Sequence, residues 1–282
     1  ILKGMSRLTE LNAVEYNQQE KEMQMKALNF ADKQIQSDYE SLQKIKNWQK
    51  NEISPLEIEY LFVRSNYRDI PEPGSAREAI RYYTSLAEKQ WSKQSIYGKG
   101  EIAWLMWRNG KKEVAGDILA WLRKTATTSA DKGMYWANNR RGTNSFASPI
   151  DTHCLLMAFF NEAAPDKLET DRMKQWLLSQ KQTQNWESVP ATVNAIYALL
   201  LTGSDWLDTN NTCTATWGKQ TYSTANGESG TGYLKVTVPD ERATASEGNA
   251  ISIRKEGPAP AWGAVYEQYF QNINEVKKQK GV

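Results

Sequence analysis

Apolar residues recur at helical spacing along roughly the first two thirds of the chain. Residues 17–48 are polar and charged, yet place Met23, Ala27, Phe30, Ala31, Ile35 and Leu42 on one side of a helix. Ser54-Pro55 opens the next, since Ser can cap and Pro suits the first turn. "RDIPEPGS", from Arg68 to Ser75, is a turn-rich break. The pattern predicts further helices over 76–91, 101–107 and 111–124, with Asn109-Gly110 as a stop between the last two. "DKGMYWANNRRGTNSFA" reads as a polar loop, and apolar helical runs follow over 149–163, 166–180 and 190–202.

After Gly203 the pattern changes. Thr, Ser, Gly, Tyr and Val dominate, and "YLKVTV" and "AISIRK" alternate with a period of two, as strands do. Asn226-Gly227 and Gly257-Pro258 punctuate them. A domain boundary is expected near 205–212, with α before it and β after.

Three of the helix starts resemble one another: "SPLEIEYLFVR", "SPIDTHCLLMA" and "VPATVNAIYAL". Pro55 and Pro149 are 94 residues apart, and Pro149 and Pro190 are 41 apart. The longer interval holds one more unit, "SIYGKGEIAWLMW", whose Ile96 stands 41 residues after Pro55. Tryptophans accompany the repeat. Trp121 and Trp136 match Trp176 and Trp186, and Trp48 precedes Pro55 in the same way. A period of 40–50 residues with two helices per unit describes helical hairpins. These stack as an open solenoid or close into a ring of two concentric layers, and the more apolar second helix of each unit suits the ring.

Net charge is +2, which gives no electrostatic reason to expect nucleic acid. No run of about twenty apolar residues can span a membrane. The chain begins ILKGMSRL, without a signal-peptide pattern, and reads as a fragment or a processed piece. Eleven Trp and 13 Tyr furnish either a layered helical core or a sugar-stacking cleft, and burial is the preferred reading.

The rarest residues adjoin: His153, the one histidine, and Cys154, one of two cysteines. Zinc needs three or four convergent ligands, and neighbours on a helix diverge by roughly 100°. A Cys-His nucleophile pair must face each other, which neighbours on one helix do not. In the repeat His153 falls in a column with Glu59 and Asn194, and Cys154 in one with Tyr60 and Ala195. The expectation is therefore a core cysteine, a polar His153 at the inner end of a helix, and neither metal nor cofactor.

"ILKGMSRLTEL", "ALNFADKQIQSDYE", "IYGKGEIAWLMWRNG", "GMYWANN", "ETDRMKQWLLSQKQTQNWESVPATVNAIYALL" and "PAWGAVYEQYF" span most of the chain. Together with the repeat and the β tail they resemble the thioester-type domain of bacterial alpha-2-macroglobulins, above all the large lipoprotein-like members of Bacteroides-type bacteria. The resemblance implies a mainly α chain. Residues 1–204 would be an N-terminally truncated α/α toroid of helical hairpins, and 205–282 the C-terminal half of a flanking β domain. Such a half sheet exposes its edges, so it is expected to be partly disordered or packed on the toroid. The implied parent is an endopeptidase inhibitor of the cell envelope, periplasmic or anchored to the outer membrane as a lipoprotein. Its partners would be target proteases and adjacent macroglobulin-type β domains, and the chain itself would not be an enzyme.

Many members couple to the protease through a thioester formed in a Cys-x-Glu-Gln motif. Here Cys154 is followed by Leu-Leu and Cys213 by Thr-Ala, and Glu267-Gln268 has Val265 where the thiol would stand. These residues cannot form the bond. Complement relatives use a His near it, which leaves His153 as the one catalytic candidate. The rival reading is a carbohydrate-binding or carbohydrate-processing toroid, with Asp151 paired to Glu101 or Glu57 across a cleft. A plain helical-repeat adaptor is the third.

Overall fold

Serine fixes where the central helices begin. In the computed structural model, residues 1–139, 148–181, 185–203, 212–218, 220–227, 233–238 and 250–257 are described, with 261, 263, 265, 266 and 272 singly. The helices among them are α1 (Leu2–Glu10), α2 (Gln18–Gln43), α3 (Pro55–Arg64), α4 (Arg77–Gln90), α5 (Ile96–Arg108), α6 (Lys112–Thr125), α7 (Pro149–Ala163), α8 (Lys167–Ser179) and α9 (Val189–Thr202). The strands are β1 (Thr127–Ser129), β2 (Gly133–Tyr135), β3 (Thr212–Trp217), β4 (Gln220–Ser223) and β5 (Ile251–Glu256). Helix makes up 62% of the described residues, so the chain belongs to the mainly α class with a small sheet part.

Ser54, Ser95, Ser148 and Ser188 cap α3, α5, α7 and α9, each side chain accepting from the backbone N–H three residues on. Each cap satisfies one of the unpaired first-turn amides. The caps stand 41, 53 and 40 residues apart. Serine, not proline, is therefore the mark of the repeat. Pro55 and Pro149 are the first residues of their helices, but Pro190 is the second of α9.

The chain divides into two compact units, Ile1–Gly203 and Ser204–Val282. In the first, α3 packs on α5, α5 on α7 and α7 on α9, forming one row. A second layer covers it: α4 lies on α3, α6 on α5 and α8 on α7. The row is the apolar centre, with Ile102, Ala103, Met106, Leu156, Met157, Ala158 and Phe159 fully buried. α5 begins at Ile96, not 101, despite the helix-weakening Gly98 and Gly100. A Cβ at Gly100 would stand 2.7 Å from Leu156 Cδ2, so the missing side chain makes room for α7. At the start of the layers, buried Asp32 on α2 sits 3.2 Å from Arg64 Nε on α3 and accepts from Tyr60 Oη at 2.6 Å. The remaining Arg64 donors reach the carbonyls of Tyr67 and Ile70.

The tryptophan pattern has a geometric basis. Trp136 donates its indole N–H to the Leu122 carbonyl at the end of α6, at 2.9 Å. Trp186 does the same to Leu177 at the end of α8, at 2.8 Å. Both rings are buried. Each ties the loop after an outer helix to that helix's last turn. Trp48 differs, lying against Tyr39 and Tyr82. Trp136→Phe and Trp186→Phe should each lower stability by about 1–2 kcal/mol, because each removes a buried hydrogen bond that ties the loop to the helix end. The carbonyls keep their backbone donors, Ala126 and Gln180. Urea unfolding at unchanged slope would report it, and equal losses at the two sites would establish their equivalence.

The segment expected as a polar loop begins with a strand, β2, which pairs antiparallel as a hairpin with β1 just before it, Ser129 opposite Gly133. Residues 140–147 of that segment lie outside the described residues. β2 packs on α8, so the hairpin is fixed by tertiary contact more than by its own alternation. In the second unit β3 pairs antiparallel with β4 on one side and β5 on the other. β5 carries the strand expected at "AISIRK". Among the described residues no strand is assigned at 233–238, where one is expected. The linker 204–211 and Glu267-Gln268 lie outside the described residues.

Candidate functional site

The row presents polar side chains on one face, and α1 meets them. Lys3 Nζ donates to Tyr97 Oη at 2.6 Å and lies 3.4 Å from Glu59 and 3.5 Å from Glu101. It also stands 5.3 Å from the ring centres of Phe62 and Tyr97, in cation–π range. One turn on, the Arg7 guanidinium donates to Asn194 and covers the Tyr197 ring at 4.5 Å. Asn194 in turn donates to Asp151, and Tyr197 Oη donates to Glu10. One nine-residue helix thus engages α3, α5 and α9, and reaches α7 through Asn194.

Glu101 is the unusual member. It is 2% exposed in the middle of an apolar helix. Burial pushes its carboxyl up to about 8, outweighing Lys3, which pulls the other way. The ion-pair distance and the raised pKa thus oppose each other. Burial dominates, because the lone cation at 3.5 Å does not replace the lost hydration. Tyr97 is raised as well, first by burial and then by the charge of Glu101.

The other two candidate acids are tied into helix starts. Asp151 accepts from the Ser148 amide at 2.9 Å and Glu57 from the Ser54 amide at 2.6 Å, completing capping boxes. Asp151 and Glu101 are linked to the same helix, α1, but through different side chains.

His153 does not share the face of Glu59 and Asn194. It is 1% exposed and turned towards α8, where Nε2 donates to the Met173 carbonyl at 2.9 Å. Its ring centre lies 4.3 Å from that of Trp176 and 5.9 Å from that of Trp136. Burial pushes its pKa down to about 4, the Met173 bond opposing, so the ring is neutral at physiological pH. Cys154 is buried too, and burial followed by the Asp151 charge pushes its thiol far up, away from the thiolate a nucleophile needs.

No group of three or more His, Cys, Asp or Glu among the described residues could hold a metal ion. No helix among them is long and apolar enough to cross a membrane. No protein-family model matches the chain, and no curated protein matches it. Sequence reasoning missed the cluster of Lys3, Arg7, Tyr97 and Tyr197. The one local signal was Glu101, a charge set within "GEIAWLMW".

Proposed function

We propose that the helical unit is an α/α toroid acting as a scaffold in an alpha-2-macroglobulin-like endopeptidase inhibitor, without a thioester or enzymatic activity of its own. The observation that carries the ring is that both ends of the row meet on α1: Lys3 approaches Glu59 on α3, and Glu10 accepts from Tyr197 on α9. Four helices at ordinary spacing in a straight row would hold α3 and α9 about 24–30 Å apart. Between Lys3 and Glu10, α1 advances only about 10 Å. Curvature of the row and side-chain reach make up the difference.

The uncharged α9 supports a continuing repeat. Val189, Val193, Ile196 and Leu200 form an exposed stripe on it, opposite the buried Ala191, Ala195 and Ala198. A flank of that kind is what a further hairpin covers. The inhibitor reading itself rests on the sequence resemblance. With it come the cell envelope, lipoprotein anchoring, target proteases and neighbouring macroglobulin-type β domains. Against the sugar-processing alternative, Asp151 and Glu57 are spent on caps and Glu101 faces Lys3.

Incubating the intact protein that carries this chain with an endopeptidase tests the reading. A trapped protease should lose activity on a large protein substrate and keep it on a small chromogenic peptide. Unchanged activity on both would sink the proposal, and binding to an oligosaccharide panel would favour the rival.

A further inference from the structure

We propose that α1 is a releasable strap: it lies over the polar face of the helical row through charged and aromatic contacts, and it lets go without unfolding the helices beneath. Of its nine residues only Met5 is buried, so little apolar area holds it down. No side chain caps its start and no acidic residue sits in its first turn. The rest of its grip is polar: Lys3 on Tyr97, Glu59 and Glu101, Arg7 on Asn194 and Tyr197, and Glu10 on Tyr197. Tyr67 and Tyr16 add hydrogen bonds to the Leu2 and Met5 carbonyls, at 2.7 and 2.8 Å.

Elements with few buried apolar contacts open at low cost. A free helix of nine residues is marginal in water, so α1 unfolds as it leaves and has no docked intermediate to lose. The row does not depend on it in the same way. α5 and α7 bury their central turns against each other and against α6, α8 and α9.

Removing Lys3 would strand a charge on Glu101 if that carboxyl stayed ionised, and a stranded buried charge is costly. Burial already favours its protonated form at neutral pH, so release leaves a neutral acid behind. The groups facing Glu101 are Lys3 on α1, Glu59 on α3 and Tyr97 on its own helix. Release bares Glu59, Tyr97, Glu101, Asn194 and Tyr197 together. The inference rests on these contacts alone and holds whether or not the unit serves an inhibitor.

Amide hydrogen exchange on the full chain tests it. The hydrogen-bonded amides of α1 should exchange at least roughly tenfold to a hundredfold faster than the central amides of α5 and α7. The double variant Lys3→Gln, Arg7→Gln should speed exchange in α1 and leave α5 and α7 unchanged. Exchange of α1 at the rate of α5 and α7 would overturn the proposal. So would a variant that loosens all the helices together.

Discussion

Gly133→Ala should lower the stability of the helical unit by about 3 kcal/mol, measured as the midpoint of urea unfolding of the full chain. Two costs add. Gly133 has φ +75°, where a side chain costs about 1–2 kcal/mol. A Cβ there would also fall 2.1 Å from the Arg172 carbonyl oxygen and 3.0 Å from Gln175 Cβ, both on α8. A backbone carbonyl cannot swing aside like a leucine tip, so either β2 or α8 must shift. Such overpacking costs about 1–3 kcal/mol. The carbonyls of Ala130 and Asp131, which accept from Gln175 at 2.9 and 3.1 Å, would move with the hairpin. Gly100→Ala makes the useful contrast. It also meets its neighbour below 3 Å, but the neighbour is a Leu156 methyl and the backbone is helical. A loss at Gly133 no larger than at Gly100 would refute the close approach of β2 to α8.

What the sequence disclosed follows from how local each cause is. α7 was legible to the residue because Ser148-Pro149 and the apolar run after it both act within one helix. The start of α5 is hard to read because Gly98 and Gly100 argue against helix locally, while the purpose of Gly100 lies on Leu155 and Leu156, more than fifty residues away. α1 escaped notice because nine residues burying only Met5 leave almost no apolar stripe. The polar cluster was the least legible part, since Lys3 and Glu101 are 98 residues apart and only the folded row brings them together. His153 shows the limit of reading columns. Alignment on Pro190 sets it beside Asn194, but the caps show α9 to be offset by one residue, enough to turn a side chain by about 100°. Glu59 keeps the same distance from its cap as His153 and still faces α1 where His153 faces α8.

The pH dependence of stability should reveal two buried groups working against each other. Glu101 titrates at about 8 in the fold against an ordinary value near 4.5. The native state therefore binds this proton more tightly than the unfolded chain. The resulting stability is complete below about 4.5 and is lost as pH rises to about 8, roughly 5 kcal/mol in all. His153 titrates at about 4 against an ordinary 6.5. Here the unfolded chain binds the proton more tightly, so stability is complete above about 6.5. It falls by roughly 3 kcal/mol as pH drops to about 4. Between about 4.5 and 6.5 the two slopes are equal and opposite, and these groups leave stability level. Between about 6.5 and 8 only Glu101 acts, and stability should drop by roughly 2 kcal/mol. Glu101→Gln removes that alkaline fall and leaves a plain acid loss below 6.5. His153→Gln keeps a donor for the Met173 carbonyl, removes the acid loss, and lets stability decline steadily from about 4.5 to 8. Urea unfolding of the three proteins across pH 4–9 separates the two effects. An alkaline fall that survives Glu101→Gln would mean that Lys3 keeps this carboxyl ionised after all, and that the charge on α1 outweighs the burial of α5.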